Sequence, residues 1–450
     1  MGKQLYIETY GCQMNVNDSE VVAAILKDEG FVYNEEINDA DLILINTCSI
    51  RENAENRVFQ RLQDVKKLRS ENENLLIGVI GCMAERLKDQ LLDNKLLADL
   101  VVGPDAYRSL PELVSIAEKS KRAINVHLSK TETYSDILPY RVGNNRISTF
   151  VSIMRGCNNF CTFCIVPYTR GRERSRDAES ILNEMADAVN NGYREITLLG
   201  QNVNSYLYKN NEGEEITFPR LMELAALRFP KTRIRFSTSH PKDMDDELLK
   251  VIARYDNICK WIHLPVQSGS SKVLKSMNRT YDREWYKGRV DAIRKYIPDA
   301  AITSDIIAGF CGETEEDHLE TLSIMKYAQY DLSYMFKYSE RPGTIAERKM
   351  NDNVPEDVKT RRLNEIIDLQ NEIKKERYKT LHGKVFDVLV EGRSKKNDTE
   401  YKGRNSQNQT IIFPKGNTRV GQIVKVKITD STSATLKGEL IEEFVGLTLG

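Results

Sequence analysis

The sequence predicts an α/β protein in three successive units: a parallel sheet covered by helices, a partly closed barrel of six βα units, and a small all-β barrel. Three observations carry this. In the first 120 residues short apolar runs alternate with helical stretches; between residues 149 and 338 six strand signals are separated by helical periodicity; and from Lys384 onward short strands follow one another with Gly and Asn at the turns. The 450 residues suit three domains at about 150 residues each.

In the first unit, apolar runs at 5–10, 42–47 and 75–80 read as strands, followed directly by Gly11-Cys12, by Cys48 and by Gly81-Cys82. Parallel strands bring their carboxyl ends to one edge of a sheet, where ligand crevices form, so cysteines far apart in sequence can converge there. The alternative is three small buried core residues. A turn-rich stretch at 120–145, with Tyr134, Pro139 and Gly143-Asn144-Asn145, suits a boundary. Strands of the second unit are expected at 149–154, 195–199, 233–239, 259–266, 302–310 and 332–338, with helices at 178–191, 243–255, 283–296 and 315–327. Right-handed crossovers would make these a parallel barrel whose working face is the loops after the strands. Residues 353–381 read as one helix, opened at Val354-Pro355 and stopped at Gly383. Strands at 385–390, 410–413, 423–428 and 434–440 complete a small barrel.

Composition bounds the function. The 65 Lys and Arg against 66 Asp and Glu give a formal charge of -1, which excludes a globally basic coat, so any nucleic-acid surface must be a local patch. With 40% hydrophobic and 29% charged residues the chain is globular, and no apolar run approaches a membrane span. The first residues, Met1-Gly2-Lys3-Gln4-Leu5-Tyr6-Ile7-Glu8, lack the order of a signal peptide, so a cytoplasmic location and no membrane partner are expected. In a reducing compartment the eight cysteines are ligands or buried residues rather than disulfides.

The most specific signal is Cys157-Asn158-Asn159-Phe160-Cys161-Thr162-Phe163-Cys164, after the first barrel strand. Three thiolates at this spacing can hold three irons of a [4Fe-4S] cluster and leave the fourth open to a small ligand. Zinc would need a fourth Cys or His nearby, and the nearest histidines are His127 and His240. Polar groups and glycines beyond the other strands, namely Gly200, Gln201, Ser237, Ser239, Gln267, Ser268, Asp305 and Gly309, can approach a zwitterionic cofactor; for each one singly, a turn or helix cap is as good a reading. His263, in an apolar strand end, reads as a core residue.

The CxxxCxxC run resembles the radical S-adenosylmethionine (SAM) superfamily, in which the open iron binds SAM and reduction yields methionine and a 5'-deoxyadenosyl radical. Over about residues 3–443 the order of units and the cysteine positions resemble the methylthiotransferase family. That resemblance implies a flavodoxin-like methylthiotransferase domain at 3–120, a radical SAM domain at 143–376 and an RNA-binding TRAM domain at 379–443. It also implies a second, auxiliary [4Fe-4S] cluster on Cys12, Cys48 and Cys82. Gly11-Cys12-Gln13-Met14-Asn15, Thr47-Cys48-Ser49-Ile50-Arg51-Glu52 and the run from Cys164 to Glu173 look like the MiaB branch. Its members methylthiolate carbon 2 of N6-dimethylallyladenosine at position 37 of the tRNA anticodon loop. The implied chemistry uses one SAM as methyl donor and a second as radical source, with sulfur delivered through the auxiliary cluster. An external electron donor of the flavodoxin or ferredoxin type, a sulfur source and a monomeric state go with it. Rival readings are a methylthiotransferase for threonylcarbamoyl-adenosine or for a ribosomal protein, and a non-catalytic iron–sulfur RNA-binding protein. Cys311, in Phe310-Cys311-Gly312-Glu313-Thr314 where the family usually has Pro, reads with Cys259 as structural.

Two basic clusters are candidates for tRNA phosphates. Arg170, Arg172, Arg174 and Arg176 alternate, which puts them on one side of an extended segment, and in the last unit Arg393, Lys395, Lys396, Lys402 and Arg404 surround Tyr401, a mixture suited to phosphates and a stacked base.

Overall fold

The computed structural model of the chain describes residues 2–48, 52–88, 90–93, 98–142, 146–210 and 212–441, with 52–56 and 93 as backbone only. Ser49, Ile50 and Arg51 of the second cysteine motif, the turn at 143–145 and residues 442–443 lie outside the described residues.

The first unit is a sheet that, among the described residues, holds six parallel strands: β1 (Gln4–Tyr10), β2 (Val32–Tyr33), β3 (Leu42–Thr47), β4 (Leu76–Gly81), β5 (Leu100–Val102) and β6 (Ala123–Asn125), in the order β2-β1-β3-β4-β5-β6. This is the flavodoxin-like order, with its topological switch point between β1 and β3. β3 and β4 are buried at every residue, as continuous apolar runs in a sheet covered on both faces must be. β6 lies beyond residue 120, so the sheet extends past the expected edge of this unit; three residues are too few for a period to show.

The second unit has six parallel strands among the described residues: β7 (Ser148–Ser152), β8 (Glu195–Leu199), β9 (Arg233–Ser237), β10 (Trp261–His263), β11 (Ala301–Ala308) and β12 (Leu332–Lys337). They form two three-stranded sheets, β9-β8-β7 and β10-β11-β12, joined by a parallel bridge between Ile234 and Ile258. One large cluster under the helices, with Val151, Ile196, Leu198, Ile234, Phe236, Ile262, Ile302 and Ile306, is the core. The long helix is Glu356–Lys379, and its buried Gln370 accepts from Ser333 Oγ at 2.7 Å.

The third unit is a closed barrel of β13 (Val385–Arg393), β14 (Glu400–Arg404), β15 (Thr410–Pro414), β16 (Ile423–Ser431) and β17 (Leu436–Leu440), ordered β13-β14-β15-β17-β16. β14 is where the sequence placed a basic cluster. Its pattern turns Tyr401 and Gly403 inward and Glu400, Lys402 and Arg404 outward. Tyr401 is therefore buried in the barrel core and presents no ring to a base. The barrel sits under the amino ends of β8 and β9. Arg233 donates to the carbonyls of Arg404 and Asp387, both at 2.7 Å, and Arg235 donates to those of Ser406 at 2.8 Å and Asn405 at 2.6 Å. Arg404 pairs with Glu195 at 3.0 Å and with Glu391, so it joins two units and is not available to phosphate.

Candidate active site

Cys12 caps the amino end of the helix Gln13–Asp28, Cys48 follows β3 and Cys82 opens the helix Cys82–Leu87, so all three stand on the carboxyl edge of the sheet beside its switch point. The run after Cys12 has a structural cause. Asn15, fully buried, accepts from the Cys12 N–H at 3.2 Å and donates to Asn46 Oδ1 at 2.9 Å and the Thr47 carbonyl at 3.1 Å, which ties the Cys12 turn to the strand that delivers Cys48. Before Cys82, Gly81 has φ +93, and a Cβ there would lie 2.5 Å from Asn46 Oδ1, so glycine is required for this close approach. The Cys48 thiol, hydrogen-bonded to Cys12, is the main cause holding the Cys12 thiol below its ordinary pKa, with the Arg170 charge adding to it, while burial pushes Cys82 up. Arg170 Nε donates to Cys82 Sγ at 3.2 Å, and its Nη2 is 2.8 Å from Asp18.

The second triad lies in the loop after β7. Gly156 has φ +73 and packs so closely that a Cβ would lie 2.0 Å from the Arg172 carbonyl oxygen. Cys157 N–H then donates to the Gly171 carbonyl at 3.1 Å, and Cys164 N–H to that of Cys161 at 2.9 Å. The segment 276–279 clasps the loop: Thr162 donates to the Met277 and Ser276 carbonyls, and Asn278 to those of Asn159 and Phe160. Burial pushes the Cys157 thiol up to about 11 and Cys164 to about 12, with the neighbouring thiolates adding to it. Buried Arg279 donates to Cys161 Sγ at 3.2 Å. Each triad thus has one sulfur facing a buried guanidinium, the environment that suits thiolates sharing negative charge with a cluster. Among the described residues no three His, Cys, Asp or Glu side chains gather tightly enough for a single metal ion. Cluster ligands each hold a different iron, so this donor set fits an iron–sulfur cluster without meeting that condition. The chain from Cys164 to Arg170 is six residues, at most about 20 Å, so the two triads are neighbours.

Of the other expected residues, Gly200 lies against Met154, and Gln201 and Ser237 are half-buried at strand ends. Ser239 donates to the His263 carbonyl. Gln267, with φ +68, continues the pairing beside β11 through its backbone to Asp305 and Ile307. The Asp305 carboxylate lies 3.5 Å from His263 Nε2. Two residues are turned away. Ser268 is fully buried, its hydroxyl 3.3 Å from Thr321 Oγ1 and accepting from Ser270 N–H at 3.2 Å, so it shapes a turn; Gly309 N–H donates to Glu313 Oε1 at 2.9 Å. Burial holds His240 neutral, with its pKa pushed down to about 2.

The expected arginine patch is mostly internal. Arg170 pairs with Asp18, Arg174 with Asp105 at 2.8 Å and Arg176 with Glu184, all buried; Arg155 joins them at 2.9 Å from Asp18. These carboxylates come from elsewhere in the chain and turn the alternation inward. Only Arg172 of that run is exposed, with its guanidinium 4.4 Å from the Phe160 ring centre. In the barrel Arg393, Lys395 and Lys396 are exposed. The sequence reading missed a cleft of about 890 Å³ between the second and third units, around the exposed Arg146, Arg194 and Arg419. These arginines are isolated in sequence, so no local signal marks them.

Comparison with known proteins follows the same division. Residues 4–103 match the model of the uncharacterized protein family UPF0004, 151–325 that of the radical SAM superfamily and 379–441 that of the TRAM domain. The tRNA-2-methylthio-N(6)-dimethylallyladenosine synthase of Bacteroides thetaiotaomicron is 58% identical over 437 residues, 97% of this chain and 96% of its own. That of Porphyromonas gingivalis is 55% identical over 443 residues, 98% of this chain and 95% of its own. The chain belongs to the tRNA-2-methylthio-N6-dimethylallyladenosine synthase family. Solved structures share the fold at low identity. The radical SAM methyltransferase TsrM from Kitasatospora setae, with cobalamin and a [4Fe-4S] cluster bound, superposes with a TM-score of 0.55 at 12% identity over 77% of each chain. The cobalamin-dependent radical enzyme OxsB gives 0.54 at 13% identity over 82% of this chain and 56% of its own. The stretch that matches the radical SAM superfamily contains the CxxxCxxC run of Cys157, Cys161 and Cys164, and the stretch that matches UPF0004 contains Cys12, Cys48 and Cys82. No described helix is long and apolar enough to cross a membrane.

Proposed function

We propose that this chain methylthiolates carbon 2 of N6-dimethylallyladenosine at position 37 of a tRNA anticodon loop, with one [4Fe-4S] cluster on Cys157, Cys161 and Cys164 and a second on Cys12, Cys48 and Cys82. The observation that carries this reading is the adjacency of the two triads, with Arg170 reaching from the loop of one to a sulfur of the other at 3.2 Å. When bound, the clusters and SAM supply a carbon-centred radical and the sulfur and methyl groups. That chemistry suits the target, because an aryl hydrogen has no usable acidity and gives a general base no purchase.

The chain's own residues place and shield these groups. The CxxxCxxC loop is walled by Phe310, Tyr338, Val273 and Met277, with Phe163 packed against them, which keeps water from a reactive site. Arg279 and Arg170 orient one cysteine of each triad, and Asn15 fixes the Cys12 turn. Gln201, Ser237 and Asp305 line the barrel mouth for SAM, and a base splayed from a single-stranded loop can enter the same mouth. Arg393, Lys395 and Lys396, with Arg146, Arg194 and Arg419 around the cleft, offer an exposed basic path for phosphates. An external one-electron donor and a sulfur source complete the scheme.

The test is incubation of the reconstituted, reduced protein with SAM and tRNA carrying dimethylallyladenosine, threonylcarbamoyl-adenosine or neither, followed by nucleoside mass spectrometry. Methylthiolation of the dimethylallyl nucleoside alone is expected; product only from another substrate would overturn the reading.

A further inference from the structure

The concave face of the barrel carries a column of apolar and aromatic groups that cluster and SAM binding do not explain. Parallel pairing sets residues in register on the same face: His263 with Thr303, Thr303 with Leu332, Asp305 with Tyr334 and Ile307 with Phe336. The other face of β11 and β12 is taken by the core, through Ile302 and Ile306 and through Ser333 with Gln370. Leu332, Tyr334 and Phe336 therefore point into the lumen, where they are 36%, 45% and 38% exposed. Large side chains left this open inside a concave face, rather than scattered over an outer surface, mark a binding surface. A ring chain continues it: Trp261 stacks on His263 at 6.3 Å between centroids, and His263 meets Tyr334 edge-on at 5.9 Å.

The polar groups in this lumen are already committed. His263 Nδ1 lies 3.0 Å from Thr303 Oγ1 and its Nε2 faces Asp305. On the opposite strands Arg233 and Arg235 both point their Nη groups at carbonyls of the small barrel, and Arg235 Nε is 2.9 Å from Glu195. A substituent with a carboxylate would meet Asp305 here and find neither guanidinium available to it. A branched hydrocarbon would meet Leu332, Tyr334 and Phe336.

We propose that Leu332, Tyr334 and Phe336 form the subsite for the dimethylallyl group of the substrate adenine and set the enzyme's preference for a prenylated base over an unmodified or carboxylate-bearing one. This rests on the function proposed above. The apolar group slides along β12 while the purine lies toward the His263 and Tyr334 rings, which leaves carbon 2 directed to the strand ends where the triads stand.

The experiment measures binding of two anticodon stem-loop RNAs, identical except that one carries dimethylallyladenosine and the other adenosine, to the full chain with both clusters reconstituted. Wild type is expected to prefer the prenylated RNA, and Leu332→Ala with Phe336→Ala to lose about tenfold on that RNA alone, the effect of removing hydrocarbon surface from a subsite. Tyr334→Phe should keep the preference, and because these positions are exposed, circular dichroism and iron content should match wild type. In parallel, Leu332→Arg should narrow the preference against a threonylcarbamoyl RNA. Equal losses on both RNAs, or no loss in the double variant, would overturn the subsite. A wild type that methylthiolates dimethylallyl tRNA yet binds both RNAs equally would overturn the subsite and leave the proposed function standing. A wild type that yields no methylthiolated nucleoside from dimethylallyl tRNA would overturn the function itself.

Discussion

Arg170→Met is expected to lower the reduction potential of the cluster proposed on Cys12, Cys48 and Cys82 while leaving it loaded. Arg170 is 2% exposed and its Nε donates to Cys82 Sγ at 3.2 Å, so its charge acts across protein rather than water. A unit charge about 5 Å away at an effective dielectric of about 20 contributes on the order of 3 kcal/mol. For a one-electron couple that is about 130 mV. Reduction adds negative charge, which the guanidinium stabilises, so its removal makes the cluster harder to reduce. Asp18 limits the structural damage: burial would raise its carboxyl, but Arg155 and Arg170 outweigh burial and hold it below its ordinary value, and Arg155 at 2.9 Å remains in the variant. The assay is a redox titration followed by electron paramagnetic resonance, in a background where Cys157, Cys161 and Cys164 are Ala so that one signal remains. Arg170→Lys should recover most of the shift. A change under about 30 mV at full iron content would refute the electrostatic role.

Two further outcomes follow from the same geometry. Replacing Arg393, Lys395 and Lys396 by Gln, and separately Arg146, Arg194 and Arg419, should weaken tRNA binding and flatten its salt dependence by about 0.7–0.9 in slope for each phosphate no longer neutralised, read by filter binding at several salt concentrations; an unchanged slope in both variants would remove these residues from the RNA path. Glu20 is one pH-sensitive group at the junction of the first two units. Burial raises its carboxyl to about 7 despite Arg141, so between pH 4.5 and about 7 the folded state binds the proton that the unfolded state has lost, and this group's contribution to stability falls as pH rises through that window. Glu20→Gln should therefore lose less unfolding free energy than wild type between pH 5 and pH 8, a difference of up to about 3 kcal/mol read from urea unfolding; parallel shifts would refute the assignment.

The convergence of the dispersed cysteines was legible because β3 and β4 are largely apolar runs, β1 carries Leu5 and Ile7 in strand alternation, and a cysteine follows each within two residues; strand order then does the rest. The arginines were not. Alternation correctly puts Arg170, Arg174 and Arg176 on one side, but which side is decided by Asp18, Asp105 and Glu184, two of them more than 60 residues away, and nothing local announces them. Tyr401 was misjudged because its strand, Glu400–Arg404, surrounds it with Glu, Lys and Gly, residues poor in strand propensity, so its inward-facing parity was invisible until the barrel closed. Ser268 and Gly309 show the limit of reading position alone: both follow barrel strands, yet Thr321 and Glu313 already satisfy their polar groups. The aromatic column on β12 escaped for the opposite reason, since Leu332, Tyr334 and Phe336 look like ordinary strand residues until the far face proves to be the packed one.

Iron and acid-labile sulfide per chain, in anaerobically reconstituted wild type and in the variant with Cys157, Cys161 and Cys164 all replaced by Ala, test the two-triad account most directly. About eight irons falling to about four in the variant is the expected result, one four-iron cluster on each triad. About four falling to none would contradict it, because Cys12, Cys48 and Cys82 would then hold no cluster and the route for sulfur would be lost.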